Sequence, residues 1–364
     1  MSDDPVVGQP WEDEEDETSR PLGARCPPAA RPPPIGVSDL TRAALEAQDA
    51  VARIEASAAA ASAPIVAGLR RRIALWEASG WLWHRGHAAH PNDLALREAG
   101  VTGSYVAAMA AGRLRAAMPW TGSRHDGGAP PADDDVATAL RVGRLWRRLG
   151  EASHRPAIRA PDDVASVLAE IGSTPAPGQA EQWLAGLDRG APAMLAVAWA
   201  AAGWEASGPP DAGQPDGPML AACLWRERGF GRPIALPFWS ASGNADRLAP
   251  LAGDAYAAAF LGVVTQAARR AATELTRLLA IERAAGGRCG APRRGSHMAG
   301  LLTLLIEHPI LTPRTAGRAL GVSQQAALRL LRAAESGGLA QEATGRRAFR
   351  AYIASLRADR RTAP

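Results

Sequence analysis

The sequence predicts an all-α protein of two or three domains. Apolar residues recur at the three- and four-residue spacing of a buried helix face, and strand patterns are nearly absent from the middle of the chain. The 364 residues are about two to three times a typical single domain. Hydrophobic residues make up 47% and charged residues 21%, which excludes a mainly disordered or collagen-like chain.

Charge is distributed very unevenly along the chain, and every cationic side chain is arginine because the sequence has no lysine. Residues 1–36 hold eight acids and three arginines, a net charge of −5, and residues 37–287 hold 25 of each. Residues 288–364 hold thirteen arginines and four acids, a net charge of +9. The net positive charge of the whole chain is therefore concentrated at its C-terminal end.

Composition shifts predict the domain boundaries. An acidic run and a proline cluster in the first 36 residues cannot bury enough apolar surface to fold. Stretches rich in Gly, Pro and Asp or Arg predict two linkers. The predicted order is a disordered tail (1–36), an N-terminal helical subdomain (37–118), a linker (119–134), a central helical domain (135–286), a second linker (287–296), a C-terminal unit (297–356) and a basic tail (357–364).

Caps, prolines and helical periodicity predict ten helices before the second linker. Ser38 is predicted to cap the first, and the longest apolar stretch, residues 191–204, is too short to span a bilayer and predicts a buried helix. The run PIALPFW at 233–239 is too proline-rich for a helix and predicts a loop over the core. The predicted helices cover residues 38–62, 65–79, 91–100, 102–118, 135–150, 161–171, 177–187, 191–206, 218–228 and 252–285.

The C-terminal unit has the cap and turn residues of a helix-turn-helix. A helix over 298–307 precedes a short one that ends at Leu320, with Thr312 as its N-cap and Pro313 at its first position. Gly321 permits a tight turn, and Ser323 caps the next helix, which runs to about Ser336. This is the arrangement that places a recognition helix in the major groove of DNA.

Two short strands are predicted to follow as a wing, 339–343 and 346–352, so the unit is expected to be a winged helix-turn-helix. Short polar groups at the start of the recognition helix suit base edges, and glutamine can pair with adenine through two hydrogen bonds. Arginines further along and on the wing suit phosphates. The predicted DNA-binding residues are Ser323, Gln324, Gln325, Arg329, Arg332, Arg346, Arg347 and Arg350.

The segment AGRALGVSQQAALRLL and the wing TGRRAFRAY resemble the C-terminal unit of a family of rhizobial and other alphaproteobacterial proteins. In that family the helix-turn-helix follows a helical domain of unknown function. The resemblance implies a DNA-binding or regulatory protein and brings no operator or ligand with it.

A second likeness concerns the central domain. The run GPMLAACLWRERGFGRP is similar to the region near the active-site loop of Fic-family proteins, which implies a degenerate Fic-like helical architecture. That loop carries a histidine as general base and an anion-binding nest. Here residues 207–217 have neither histidine nor arginine, and Leu236 stands where histidine should precede Pro237. Pro237, Phe238, Gly243 and Asn244 imitate only part of the motif, so nucleotidyl transfer is not expected.

Other sites are weighed against plainer explanations. His84, His87 and His90, with Asp93, are spaced too widely on a helix for one metal ion, so packing or surface roles are preferred. The run Arg70 to Arg72 predicts a solvated helix face. No tryptophan lies in the basic unit, which favours core packing over base stacking for eight tryptophans of the body: Trp76, Trp81, Trp83, Trp146, Trp183, Trp199, Trp204 and Trp225.

These observations predict a DNA-binding transcriptional regulator that binds double-stranded DNA as a homodimer. No cofactor, metal, enzymatic activity or membrane partner is expected, and the three cysteines form no CxxC pair, which fits the reducing cytoplasm. The helical body is expected to serve dimerisation, a protein partner or an effector. A Fic-derived nucleotidyl-transfer enzyme or toxin-antitoxin component, and an interaction module without DNA, are the alternatives.

Overall fold

The structure is a computed structural model, and it describes residues 37–85, 87, 89–100, 131–208, 216–239, 248, 251–289, 297–344 and 350–355. Helices account for nearly all of the regular structure in these ranges, which confirms the predicted all-α class. The helices of the body are α1 (Val37–Ala59), α2 (Ala63–His84), α3 (Pro91–Glu98), α4 (Asp133–Leu149), α5 (Pro161–Glu170), α6 (Gln179–Ala185), α7 (Ala193–Ser207), α8 (Gly217–Glu227) and α9 (Gly253–Cys289). The C-terminal unit contains α10 (His297–Glu307), α11 (Pro313–Leu320), α12 (Gln324–Ser336), β1 (Ala340–Glu342) and β2 (Tyr352–Ala354).

The long helix α9 is the centre of the body. Helices α1, α2 and α7 pack along it, while α4 packs on α2 and α8 packs on α7. Arg72 of α2 pairs with Glu274, and Arg270 of α9 stacks over Trp76, so α2 runs antiparallel to α9. The body therefore supports α9 on several sides, and α9 continues towards the C-terminal unit.

Most of the eight tryptophans pack in the core of the body as predicted, whereas Trp199 lies at the surface. Trp146 and Trp225 are 1% and 0% exposed, and the buried indole N–H of Trp146 donates to the Leu236 carbonyl at 3.0 Å. Trp199 is 37% exposed and donates to Asp254. Since a buried N–H needs a partner, the bond to Leu236 satisfies the Trp146 indole as well as orienting the ring.

The run at 233–239 is a loop over the core, as predicted. Leu236, Phe238 and Trp239 are buried, and the backbone N–H groups of Phe238 and Trp239 donate to the buried carboxylate of Glu77 at 3.0 and 2.6 Å. These two bonds to one charged acceptor anchor the loop on α2. The loop is a packed part of the core.

Several predicted boundaries differ from the structure. Helix α1 begins at Val37, so Ser38 lies inside it and does not cap it, and α2 continues five residues beyond its predicted end at Ser79. Helix α9 runs to Cys289, inside the predicted second linker. The predicted tail 1–36, the helix at 102–118, the basic tail 357–364 and most of the two linkers lie outside the described residues. The division into domains stays a prediction.

None of the described helices combines the length and the apolar character that crossing a membrane requires. The predicted apolar helix at 191–206 is α7, and most of its side chains are buried against neighbouring helices. Cys223 of α8 is buried and forms no disulfide, and burial raises the pKa of its thiol to about 12.

Candidate nucleic-acid interface

Helices α11 and α12 meet at a tight turn that local chemistry dictates. Thr312 caps α11, since its hydroxyl accepts from the Thr315 N–H at 3.1 Å. Gly321 adopts a φ of +66°, and the Val322 N–H donates to the Gly317 carbonyl at 2.9 Å. A Cβ on Gly317 would lie 2.9 Å from the Val322 carbonyl oxygen. Glycine is therefore required once for the turn and once for the close approach.

Helix α12 begins as the sequence predicts. Ser323 is its N-cap, and its hydroxyl oxygen accepts from the Ala326 N–H at 3.2 Å. Ala327, Leu331 and Ala334 bury one face of the helix against the rest of the unit, where Ala316 of α11 is also fully buried. This packing leaves the opposite face of α12 exposed.

The exposed face of α12 carries the predicted contact residues. Gln325, Arg329 and Arg332 are exposed and stand at positions i, i+4 and i+7, so they share one side of the helix over roughly 10 Å. Gln324 is exposed as well, about 100° around the helix from Gln325. Ser323 is exposed, but its oxygen is engaged in the cap.

A small sheet closes the unit. Strands β1 and β2 pair antiparallel, with Gln341 opposite Ile353, and Leu311 exchanges two backbone hydrogen bonds with Tyr352 at 2.8 and 2.9 Å. The predicted first strand is confirmed, whereas the second begins at Tyr352, where the predicted strand ends. The predicted residues Arg346 and Arg347 lie outside the described residues, as does the tip of the hairpin, so the winged form stays a prediction.

Arg350 lies among acceptors of its own unit. A hydrogen bond to Tyr352 and the nearby carboxylates of Glu342 and Glu335 raise the pKa of Arg350. Glu335 in turn accepts from the Glu342 N–H at 3.1 Å. The structure therefore gives Arg350 neighbours that compete with a phosphate for its guanidinium, unlike Arg329 and Arg332.

Sequence reasoning missed two arginines on the first helix of the motif. Arg314 and Arg318 of α11 are exposed and stand one helical turn apart. Their spacing in the sequence could have identified them, because arginines at i and i+4 on the helix before the turn form a charged stripe on one face. We call the four side chains Arg314, Arg318, Arg329 and Arg332 the basic face.

The described acids of the C-terminal unit form no ion pair with the basic face. The acids in the described part of residues 297–355 are Glu307, Glu335 and Glu342, and all three are half-buried. None of the four arginines forms an ion pair with a described residue. The surface therefore presents unpaired positive charge to solvent.

The unit is docked on the body through a buried charge cluster. Arg72 Nε lies 2.9 Å from Glu274 Oε1, and Arg72 Nη1 donates to the Ile306 carbonyl of α10 at 2.7 Å. Arg277 pairs with the same Glu274 at 2.7 Å and donates to the Ala354 carbonyl of β2 at 3.3 Å. The prediction that residues 70–72 form a solvated face is wrong for Arg72, which is 2% exposed.

Close backbone packing reinforces this docking. A Cβ on Gly68 would lie 2.2 Å from the Ile306 carbonyl oxygen, so α2 and α10 approach as closely as a glycine permits. Burial lowers the pKa of Arg72 to about 10, so Arg72 stays charged at neutral pH. Its charge at the carbonyl end of α10 also complements the helix dipole.

Arg71 makes a second contact across this junction. Its Nη1 lies 2.6 Å from both ring nitrogens of His308, which follows α10. Burial and the charges of Arg71, Arg72 and Arg147 lower the pKa of His308 to about 4. His308 is therefore neutral at pH 7 and accepts a hydrogen bond from Arg71.

The three histidines weighed as metal ligands have separate structural roles. His84 packs edge-on against Trp239 with ring centroids 4.1 Å apart, and burial lowers its pKa to about 3. His87 lies 3.3 Å from Asp135, and His90 caps α3 by accepting from the Asn92 N–H. In the described ranges no three His, Cys, Asp or Glu side chains come together as a metal site.

Comparison with known proteins supports the assignment of the C-terminal unit. Residues 298–353 match the family model described as "HTH DNA binding domain". The chain carries a helix-turn-helix DNA-binding domain at its C-terminal end. The matched range contains the whole of α11 and α12 and most of the small sheet, and it contains all four arginines of the basic face.

The other comparisons add little. No curated protein matches the chain. A crystal structure of a Fic family protein from Desulfovibrio desulfuricans G20 matches with a TM-score of 0.38 and 11% identity, over 91% of this chain and 100% of that one. A likeness at this level supports no inference about the central domain, and the resemblance to rhizobial helical proteins stays a prediction.

Proposed function

We propose that this protein is a transcriptional regulator that binds duplex DNA through α11 and α12. The observation that carries the proposal is the basic face, four exposed arginines on a helix-turn-helix that form no ion pair with a described residue. Arginines at such positions neutralise phosphates, which supplies affinity and steers association. The family match over the same residues supports it.

In this proposal α12 is the recognition helix. Gln325 lies near its N-terminal end, the part of such a helix that contacts base edges, and its amide can pair with adenine in the major groove. Arg329 and Arg332 follow on the same side, and Ser323 and Gln324 flank the start of the helix. Arg346, Arg347 and Arg350 of the hairpin are proposed to contact the sugar-phosphate backbone.

We propose a homodimer acting in the cytoplasm, with the helical body supplying the dimer contact or a site for an effector or protein partner. One helix-turn-helix reads few base pairs, and paired half-sites give useful specificity. The proposed activity is binding and not catalysis. In the fragment that imitates part of the Fic motif, Leu236 stands where a histidine general base is needed, and its carbonyl accepts from the Trp146 N–H.

Selection from a library of duplex fragments of the source genome, followed by sequencing, tests the proposal and identifies the operator. Gln325→Ala and Gln324→Ala should change the ranking of selected sequences, with a loss of about 1–3 kcal/mol at one base position for a residue that reads a base. Replacing Arg346, Arg347 and Arg350 together should weaken all sequences alike. Recovery of no enriched sequence by the parent protein contradicts a sequence-specific regulator.

A further inference from the structure

Buried side-chain nitrogens without a hydrogen-bond partner are concentrated at the C-terminal end of α2. In the part of the chain that the structure describes, Trp81 Nε1, His84 Nε2 and Trp239 Nε1 are each hidden from solvent and bonded to no partner. The Trp81 and Trp239 side chains are 3% and 1% exposed. Buried polar groups in folded proteins are almost always bonded, so three such nitrogens in one region indicate a partner from outside the chain.

The three side chains are neighbours. Trp81 and His84 are three residues apart on α2 and therefore lie on the same side of the helix. Trp239 packs on this stretch, since its ring centroid lies 4.1 Å from that of His84 and a Cβ on Gly80 would collide with the Trp239 backbone. Glu77 fixes this position by accepting from the Trp239 backbone N–H at 2.6 Å. We call Trp81, His84 and Trp239 the indole cluster.

Two equally buried tryptophans of the body have partners. The Trp146 indole N–H donates to the Leu236 carbonyl at 3.0 Å, and the Trp183 indole N–H donates to the Ala200 carbonyl at 2.7 Å. Trp146 and Trp183 are 1% and 2% exposed, so they are as deeply buried as the tryptophans of the indole cluster. The fold therefore supplies acceptors to these buried indoles and supplies none to the indole cluster.

The chemistry of the indole cluster suits an oxygen ligand. An indole N–H donates and does not accept, so it binds an acceptor and not a metal cation. Burial lowers the pKa of His84 to about 3, so its ring is neutral at pH 7 and can donate through Nε2. The guanidinium of Arg85, an exposed residue, lies 4.9 Å from the centre of the Trp81 ring. Several N–H donors beside a cation match the two oxygens of a carboxylate.

Two carboxylates of the protein lie near the indole cluster and have other partners. Both oxygens of Glu77 accept from backbone N–H groups of the 233–239 loop. Asp216, whose charge interacts with Arg85, accepts from the Ser173 hydroxyl. Neither carboxylate is bonded to a nitrogen of the indole cluster, so these donors are available to a ligand.

We propose that the indole cluster binds a small organic carboxylate. The Trp81 and Trp239 N–H groups donate to the carboxylate oxygens, His84 adds a third donor, and Arg85 supplies the positive charge. The aromatic rings of the cluster contact the apolar part of the ligand. Binding of this ligand does not depend on whether the C-terminal unit binds DNA.

Nuclear magnetic resonance of the full-length protein, with isotope-labelled tryptophan nitrogen, tests the site. The indole N–H signals are assigned with Trp81→Phe and Trp239→Phe, which keep an aromatic ring and remove the donor. Sodium acetate and sodium benzoate are each titrated to about 20 mM, a range that detects millimolar binding, with sodium chloride holding the ionic strength constant. The Trp81 and Trp239 signals should move along one saturating curve, whereas those of Trp146 and Trp183 should move far less.

The two Phe variants should each weaken carboxylate binding about fivefold, which is the effect of one hydrogen bond. Affinities equal to that of the parent overturn the proposal. Absence of saturable movement with both acetate and benzoate overturns it as well. Movement that sodium chloride alone reproduces would mean nonspecific ionic contact only, and it also overturns the proposal.

An exposed substitution keeps the test independent of changes in the core. Arg85→Gln removes the proposed positive charge at the surface and should weaken binding of both carboxylates at least about threefold. Arg269→Gln, at an exposed position of α9, changes the net charge equally and should leave the affinity unchanged. Equal effects of the two substitutions contradict a local contact with Arg85.

Stability without added carboxylate shows whether the donors of the indole cluster have partners in the protein. Trp146→Phe takes the indole donor from the buried Leu236 carbonyl, whereas Trp81→Phe and Trp239→Phe remove donors that have no acceptor. All three variants lose the same ring volume. Urea unfolding should therefore show the largest loss for Trp146→Phe, and equal losses in the three variants overturn the proposal.

Discussion

Glu274 pairs with a buried arginine, Arg72, and with Arg277, whose side chain is 31% exposed. Arg72 and Glu274 are 2% and 7% exposed, and each arginine also donates to a backbone carbonyl of the C-terminal unit. Charges removed from water need a paired and hydrogen-bonded site. At the scale of single residues, this cluster ties the DNA-binding domain to the body.

Glu274→Gln should therefore destabilise the protein severely. The amide keeps the shape of the side chain but leaves the Arg72 guanidinium buried without a counter-charge, which costs about 3–5 kcal/mol of unfolding free energy. Asp39→Asn removes an exposed pair with Arg42, whose side chains are 54% and 70% exposed, and should cost at most about 1 kcal/mol. Urea unfolding measures both, and equal losses would contradict the role of the buried cluster.

His308 makes stability depend on pH in a defined window. Burial and three arginines hold its pKa at about 4 in the folded protein, below the ordinary value of 6.5. The unfolded chain therefore binds a proton as pH falls below about 6.5, while the folded chain does not until about 4. The free energy of unfolding therefore decreases as pH falls from about 6.5 to about 4. Above about pH 6.5 His308 does not change it.

His308→Gln keeps a hydrogen-bond acceptor for Arg71 and removes the titration. The variant should lose less stability than the parent between about pH 6.5 and pH 4 when urea unfolding is measured across that range. His84, whose pKa burial lowers to about 3, contributes a slope of the same sign in both proteins. The difference in pH dependence between the parent and His308→Gln therefore reports His308 alone. Identical dependence of the unfolding free energy on pH in both proteins would contradict the lowered pKa of His308.

At the scale of elements, two glycines shape the helix-turn-helix. Gly321 has a φ of +66°, and Gly317 faces the Val322 carbonyl. Gly321→Ala and Gly317→Ala should each lower the free energy of unfolding by about 1–2 kcal/mol, through strain at one site and separation of the helices at the other. Gly317→Ala should also weaken DNA binding, because it moves α12 relative to α11.

A glycine elsewhere supplies the control. Gly262 lies in the interior of α9, and a Cβ there would meet no atom within 4 Å. Gly262→Ala should stabilise the protein by about 0.5–1 kcal/mol through its helix propensity alone. Thermal or urea unfolding compares the three variants. A stabilising effect at Gly321 would mean that the turn does not need the left-handed conformation.

The helix-turn-helix could be predicted from sequence because its determinants are local. Thr312, Gly321 and Ser323 act within four residues of their own positions, and the structure places all three as caps or turn residues. The docking of the unit could not be predicted in this way. In the sequence, Arg72 is one of three consecutive arginines, which predicts an exposed position. Its partners in the structure, the Glu274 carboxylate and the Ile306 carbonyl, lie more than 200 positions away.

The same distinction applies to the basic face. Arg329 and Arg332 could be predicted from the sequence because they lie on the predicted recognition helix. Arg314 and Arg318, on the preceding helix, were not among the predicted contact residues. Arg350 was predicted to contact phosphates in the same way as Arg329 and Arg332. The structure distinguishes Arg350, because Tyr352 and the carboxylates of Glu342 and Glu335 lie near its guanidinium.

At the scale of the whole molecule, the DNA-binding domain is part of a continuous packed structure. Helix α10 packs on α2 and α9, and Gly68, Arg72 and Arg277 define the junction. The DNA-binding domain therefore joins the body through buried contacts and close backbone packing at α10 and β2.

The salt dependence of DNA binding tests the central claim most directly. Affinity for one duplex is measured between about 50 mM and 200 mM salt for the parent, for Arg329→Ala with Arg332→Ala, and for Arg144→Ala with Arg269→Ala, two exposed arginines of body helices. The account predicts steep salt dependence in the parent, a slope reduced by about two in the first variant, and no change in the second. Salt-independent binding, or equal effects of the two variants, would contradict it.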